Sequence, residues 1–115
     1  MQAQDEFWSY LDQLVATSRI VIDRPRGSTH PRYPEVVYPL DYGYLEGTTA
    51  ADGAGVDLWL GSGGVGPVQA VVCTVDLLKR ETEVKLLMGC SDDELQQILA
   101  LTNEGGLRGI LLQRV

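Results

Sequence analysis

Several residue types are scarce in this chain. Its 115 residues include one Phe, one His and two Cys, and no apolar run approaches the roughly 18 residues of a membrane span. Cys73 and Cys90 lack the spacing of a metal site, and so low a cysteine content suits a reduced compartment. We interpret both as structural residues, and these absences argue against a membrane span and a cysteine metal site.

Basic residues are also few. Nine Lys and Arg stand against 16 Asp and Glu, for a formal net charge of −7. Such a field repels phosphate backbones, so we expect no nucleic-acid partner. An anionic ligand would need locally placed Arg, Lys or metal ions. Residues 1–8 are acidic and lack the basic start of a secretory signal, so we expect a cytoplasmic protein with no membrane partner.

The length and the apolar content predict one domain over residues 1–115. Apolar residues make up 44% of the chain, mostly Val, Leu and Ile, because aromatic residues contribute only 7%. That is adequate for a core of this size but not generous. Pairing with further copies would add buried area, so we expect a homo-oligomer.

Hydrophobic periodicity predicts two helices among several strands. Residues 5–17 carry an apolar stripe at helical spacing, and Ser91 and Glu94 have the spacing of a capping box before a second helix. Residues 25–34 hold three prolines and form a loop. Extended segments are expected at 19–23, 38–48, 56–60, 68–78, 83–88 and 107–114. The pattern favours a mainly β, α+β domain: a small barrel or a curled sheet with two helices.

An aspartate pair is the first candidate site. Asp52 and Asp57 are five residues apart, which would put them on opposite faces of a regular strand. Gly53 and Gly55 free the backbone to bend, so both carboxylates could point at one divalent cation. The alternative is an ordinary Asp-Gly turn followed by a solvated aspartate.

Tyrosines and basic residues give two further candidate clusters. Tyr38, Tyr42 and Tyr44 have even spacing and would share one face of an extended segment, lining a pocket or only packing. The proline-rich loop carries the one basic cluster, a natural place to hold a phosphate; it comprises Arg24, Arg26 and Arg32.

In order, these segments resemble the soluble family I inorganic pyrophosphatases over about residues 19–88. The Tyr-Pro-x-Asn-Tyr-Gly-Phe/Tyr motif of that family is matched by residues 38–44, and its Asp-Gly-Asp-Pro-x-Asp signature by residues 52–57. Its first acidic strand and its Lys-Tyr and Asp-x-Lys pairs are matched by residues 20–25, Arg32-Tyr33 and 83–85. The tyrosine motif followed by the aspartate loop is the most specific part of the match.

The resemblance implies a five-stranded, OB-like barrel with an N-terminal and a C-terminal helix. It implies hydrolysis of pyrophosphate, or a related phosphoanhydride, by a water activated on Mg²⁺, with Mn²⁺ as an alternative. The implied metal ligands are Asp52, Asp57, Glu83 and Asp23. The implied substrate-binding residues are Arg32, Tyr42 and Lys85, and the implied catalytic residues are Asp57, Tyr42 and Lys85.

The sequence also departs from the family. Ala54 stands at the central aspartate of the signature, and a hairpin that carries an arginine is reduced to residues 34–37. The hypothesis of a hydrolase therefore stands beside a second one, an impaired module that binds phosphate or metal or serves as an oligomerising subunit.

Overall fold

Six strands form one sheet, and two helices lie on its opposite faces, in the computed structural model, which describes residues 3–115. The elements in chain order are α1 (Ala3–Ala16), β1 (Arg19–Arg24), β2 (Asp41–Glu46), β3 (Val56–Leu60), β4 (Ala70–Asp76), β5 (Glu81–Met88), α2 (Asp92–Leu101) and β6 (Leu107–Gln113). Neither helix is long and apolar enough to span a membrane.

The sheet is open, with the strand order β1-β2-β3-β5-β4-β6. All neighbouring strands are antiparallel except β3 and β5, which run parallel. The expectation of a closed five-stranded barrel is therefore wrong in its detail, whereas the mainly β, α+β class with two helices is confirmed. The physical reason is the position of β6. This strand follows α2, pairs with the outer side of β4 and ends the sheet at the edge opposite β1, with four strands between them.

Side-chain alternation divides the core into two layers. On one face Trp59, Val72 and Leu87 pack with Leu95 and Ile98 of α2. On the other face, Leu45, Leu58 and Leu86 pack with the apolar stripe of α1, which comprises Trp8, Leu11, Leu14 and Val15. The first three residues of β4 are buried on both sides of the sheet, as the double apolar pattern of this strand predicts.

The first helix confirms the periodicity prediction and begins two residues earlier than expected. Only Val15 of α1 is fully buried, and Phe7 and Tyr10 remain exposed. The extended segment predicted over 38–48 forms a strand only over β2 (Asp41–Glu46).

The two cysteines are free thiols, and burial raises the pKa of Cys90 to about 11, which fits a structural role.

Glu94 fixes the start of α2 and ties it to the loop after β3. Its carboxylate accepts the Ser91 N–H at 2.9 Å, while the Glu94 N–H donates to the Ser91 hydroxyl at 3.2 Å, completing the predicted capping box. The same carboxylate accepts the Ser62 N–H at 3.2 Å and its hydroxyl at 3.0 Å. The Ser91 N–H, followed by the Ser62 donors, lowers the pKa of Glu94.

We predict that Glu94→Gln lowers the free energy of unfolding by about 1–3 kcal/mol at pH 7. The amide replaces one acceptor oxygen with an NH₂ group, which cannot accept the hydrogen bonds that Ser62 and Ser91 donate. A carboxyl with a lowered pKa stabilises the fold above its ordinary pKa, and that stabilisation is lost as the pH falls. Urea unfolding from pH 7 to pH 3 should therefore show the variant and the wild type converging at low pH. Glu104→Gln, at an exposed position, is the matched control. The prediction would be contradicted if the difference in unfolding free energy between wild type and Glu94→Gln stayed constant from pH 7 to pH 3.

Candidate functional site

Lys85 is the centre of a polar cluster on the sheet face that packs against α2. Its Nζ donates to the Tyr42 hydroxyl at 2.6 Å and lies 3.9 Å from Asp57 Oδ2 and 3.7 Å from Glu83 Oε2. We call Tyr42, Asp57, Glu83 and Lys85 the Lys85 cluster. The structure thus brings together four of the residues implied by the resemblance.

Strand register explains why these side chains meet. Tyr42 pairs with Trp59, and Tyr44 pairs with Asp57, across β2 and β3. Leu58 lies opposite Leu86 in the parallel pair, so Asp57 and Lys85 each come one residue earlier on neighbouring strands. Glu83 shares the face of Lys85 because strand side chains alternate with a period of two.

Partial burial sets the electrostatics of the cluster. The side chains of Lys85, Asp57 and Glu83 are 22%, 29% and 26% exposed. Burial raises the pKa of Asp57, although a hydrogen bond with Tyr42 and the charge of Lys85 oppose this effect. Burial and the neighbouring Asp57 raise the pKa of Tyr42 above its usual range, so its hydroxyl keeps its proton at neutral pH.

Aromatic rings form one wall of the cluster. The ring of Tyr42 lies 4.7 Å from Trp59 and 5.6 Å from Tyr38, and Lys85 Nζ sits 4.8 Å from the Tyr42 ring centre. Tyr38 and Tyr42 therefore share a face as predicted, and they do so by packing against Trp59 as well as by bordering polar groups.

Two buried donors beside this wall lack partners within the described part of the chain: Arg24 Nη1 and Trp59 Nε1. Arg24 pairs with Tyr42 across β1 and β2, and its guanidinium carbon lies 6.0 Å from the Tyr38 ring centre. Sequence reasoning put Arg24 in the basic cluster but not in the site. A register irregularity between Ile22 and Arg24 changes which way Arg24 faces, and simple alternation does not reveal it.

The aspartate loop folds as a turn. Asp52 is exposed, and its Oδ1 accepts the Ala54 N–H at 3.0 Å, while Gly53 adopts a φ of +86°. Asp52 therefore follows the alternative of an Asp-Gly turn, whereas Asp57 is half-buried and belongs to the Lys85 cluster. The charge of Asp52 still helps to raise the pKa of Asp57.

Two implied residues, Asp23 and Arg32, take no part in the hydrogen bonds and ion pairs of the Lys85 cluster within residues 3–115. Asp23 is exposed on β1, and β2 separates this strand from β3 and Asp57. Arg32 is exposed in the loop after β1, where its backbone N–H donates to His30 Nδ1 at 3.0 Å. His30 in turn stacks on Tyr38 at 6.3 Å, so this loop borders the aromatic wall.

The carboxylates do not form a ready-made metal centre. Within residues 3–115, no three or more His, Cys, Asp or Glu side chains are grouped so that they could hold an ion. Asp57 and Glu83 instead share the ammonium group of Lys85. The side chains as placed do not fit a resident metal ion.

Comparison with known proteins finds a likeness among solved structures. No protein-family model matches the sequence, and no characterised protein matches it in a sequence search. Among solved structures, the chain is similar to an inorganic pyrophosphatase from Coxiella burnetii, at 14% identity and a TM-score of 0.54, over 82% of each chain. At this identity the likeness shows a pyrophosphatase-like fold.

We predict that Asp57→Asn makes the stability of the fold less dependent on pH. A carboxyl with a raised pKa holds its proton more tightly in the folded chain, so its contribution to stability falls as the pH rises through that pKa. The stability of the variant relative to wild type should therefore rise between pH 4 and pH 7 in urea unfolding. Asp23→Asn, at an exposed position, should show no such trend; a trend of the opposite sign for Asp57→Asn would contradict the prediction.

Proposed function

We propose that this chain hydrolyses inorganic pyrophosphate, or a related phosphoanhydride, presented as its complex with Mg²⁺ or Mn²⁺. The observation that carries the proposal is the contact of Lys85 with Tyr42 at 2.6 Å, between two half-buried carboxylates. The pyrophosphatase-like fold supports it at the level of architecture.

Lys85 and Tyr42 supply the groups that a phosphate oxygen needs. An ammonium group stabilises the charge that develops on the departing phosphate, and a phenol that keeps its proton can donate a hydrogen bond to it. The low exposure of both side chains reduces the competition from water. Arg24 adds a cation next to Tyr42, and its Nη1 could donate a hydrogen bond to a bound anion.

The metal ion enters this proposal as part of the substrate. An acidic chain repels free pyrophosphate, whereas a metal complex carries its own positive charge. The metal-ligand roles implied for Asp52, Asp57 and Glu83 stay predictions, because Asp57 and Glu83 contact the ammonium group of Lys85. The roles of Asp23 and Arg32, the cytoplasmic location and the metal preference stay predictions.

A second candidate function follows from Ala54. This exposed residue has no carboxylate to orient an attacking water, and its N–H is engaged by Asp52. A chain with these features could retain the phosphate site and have lost turnover. The second candidate is therefore a module that binds the metal complex of pyrophosphate without hydrolysing it.

We predict that purified protein releases phosphate from pyrophosphate with Mg²⁺ or Mn²⁺, and that Lys85→Met lowers this rate at least about 100-fold.

We expect Arg24→Met to weaken substrate binding about tenfold, measured as a rise in KM. Asp93→Asn on the exposed side of α2 is the control and should stay within about twofold of wild type. Wild-type release no faster than in a protein-free blank would contradict the hydrolase.

We further predict that Ala54→Asp raises turnover at least about tenfold, since it returns a carboxylate to the aspartate loop. Calorimetry with magnesium pyrophosphate separates the two candidates. Binding by the wild type without turnover supports the binding module. No heat and no turnover would overturn both.

A further inference from the structure

An apolar groove crosses the sheet on the side of α1. It encloses about 810 Å³, and α1 borders it through Phe7, Leu11 and Leu14. Its floor comes from β5, β4 and β6, which lie at the far side of the sheet from β1. We call this surface the β5-β4-β6 groove.

Strand register places the floor residues in rows. Val84, Cys73 and Ile110 are directly opposite one another across the three strands. The next row is Thr82, Val75 and Arg108. Val84 is 53% exposed and Ile110 is 60% exposed, which is unusual for neighbouring branched apolar side chains on a sheet face.

We infer that the β5-β4-β6 groove is covered by a second copy of this chain, related by a two-fold axis. The exposed fractions of Phe7, Val75, Val84 and Ile110 leave on the order of 300–400 Å² of apolar side chain per copy, taking about 150–200 Å² for each when fully exposed. A standard interface covers about 800 Å² per partner, so these side chains would form its apolar centre.

Charge at the two sides of the groove favours a copy of the same chain. Asp52 borders the groove from the loop before β3, and Arg108 borders it from β6, on the far side of β5 and β4. A two-fold contact reverses one copy against the other, so each Arg108 meets the partner's Asp52. Arg108 is exposed, and its Nη1 donates only to carbonyls of Gly105 and Leu107 within the described chain, so its charge is free for such a contact.

The groove, rather than the edge of the sheet, is the available surface. Asn103 occupies the outer side of β6: its Nδ2 donates to the Gly109 carbonyl at 3.0 Å, and its Oδ1 accepts the Gly109 N–H at 3.3 Å. This blocks continuous strand addition at the middle of β6. A second copy that packs on the groove makes side-chain contacts and does not need the Gly109 N–H or carbonyl.

The inferred dimer adds a cation to the side of the groove that Asp52 borders. Asp57 and Glu83 also border the groove, but their carboxylates contact Lys85 on the α2 face of the sheet, so the cation of the second copy would lie next to Asp52. The inference stands on the surface alone and does not depend on the proposed function.

Sedimentation of the purified chain tests the inference without any activity assay. Wild type should be a dimer at micromolar concentration, and Ile110→Asp should raise the dissociation constant at least about 100-fold, since each dimer then buries two unpaired charges. Val65→Asp is the matched control, because Val65 is 63% exposed in the loop between β3 and β4, outside the groove. Circular dichroism confirms that each variant is folded.

Two further variants test the geometry. Arg108→Glu should weaken the dimer, and combining it with Asp52→Arg should restore it, since the two charges exchange sides. Cys73 lies in the central row, so a maleimide should label the wild type more slowly as the protein concentration rises into the dimer range, whereas Ile110→Asp should be labelled at a constant rate. A monomeric wild type at 100 times the working concentration would overturn the inference, as would equal dimerisation of Ile110→Asp and Val65→Asp.

Discussion

The parallel pairing of β3 with β5 is the contact on which the candidate site depends. It joins segments nearly 30 residues apart in the chain, and it sets Asp57 beside Lys85 through the register of Leu58 with Leu86. A slip of one residue would turn Lys85 toward α1 and leave Asp57 half-buried without its cation. Two buried leucines, Leu58 and Leu86, therefore hold the polar cluster in register.

Desolvation and charge compensation oppose each other at that cluster. Burial disfavours the ionised form of Asp57, and the hydrogen bond with Tyr42, followed by the charge of Lys85, opposes this effect without cancelling it, so the pKa of Asp57 stays raised. Burial and the charge of Asp57 also keep Tyr42 protonated, and Arg24 Nη1 has no hydrogen-bond partner among residues 3–115. The carboxylates of Asp57 and Glu83 share the charge of Lys85.

The two faces of the sheet are covered unequally. The α2 face is closed by Leu95 and Ile98, and Glu94 anchors that helix to the loop after β3. The α1 face is closed near β1 but leaves the β5-β4-β6 groove exposed. For a chain with a modest apolar content, covering that groove by a second copy would enlarge the buried core without requiring a larger domain.

Local pattern alone was enough to predict α1, the capping box of α2, the strand segments and the meeting of Tyr42 with Tyr38, because each depends on periodicity over neighbouring residues. The resemblance added the grouping of Asp57, Glu83 and Lys85. Only the tertiary structure decided that β6 extends an open sheet, that Asp52 turns to its own loop and that Arg24 faces the aromatic wall. These features depend on strand order, on a bulge and on burial, which arise from contacts between distant segments and leave no periodic signal along the chain.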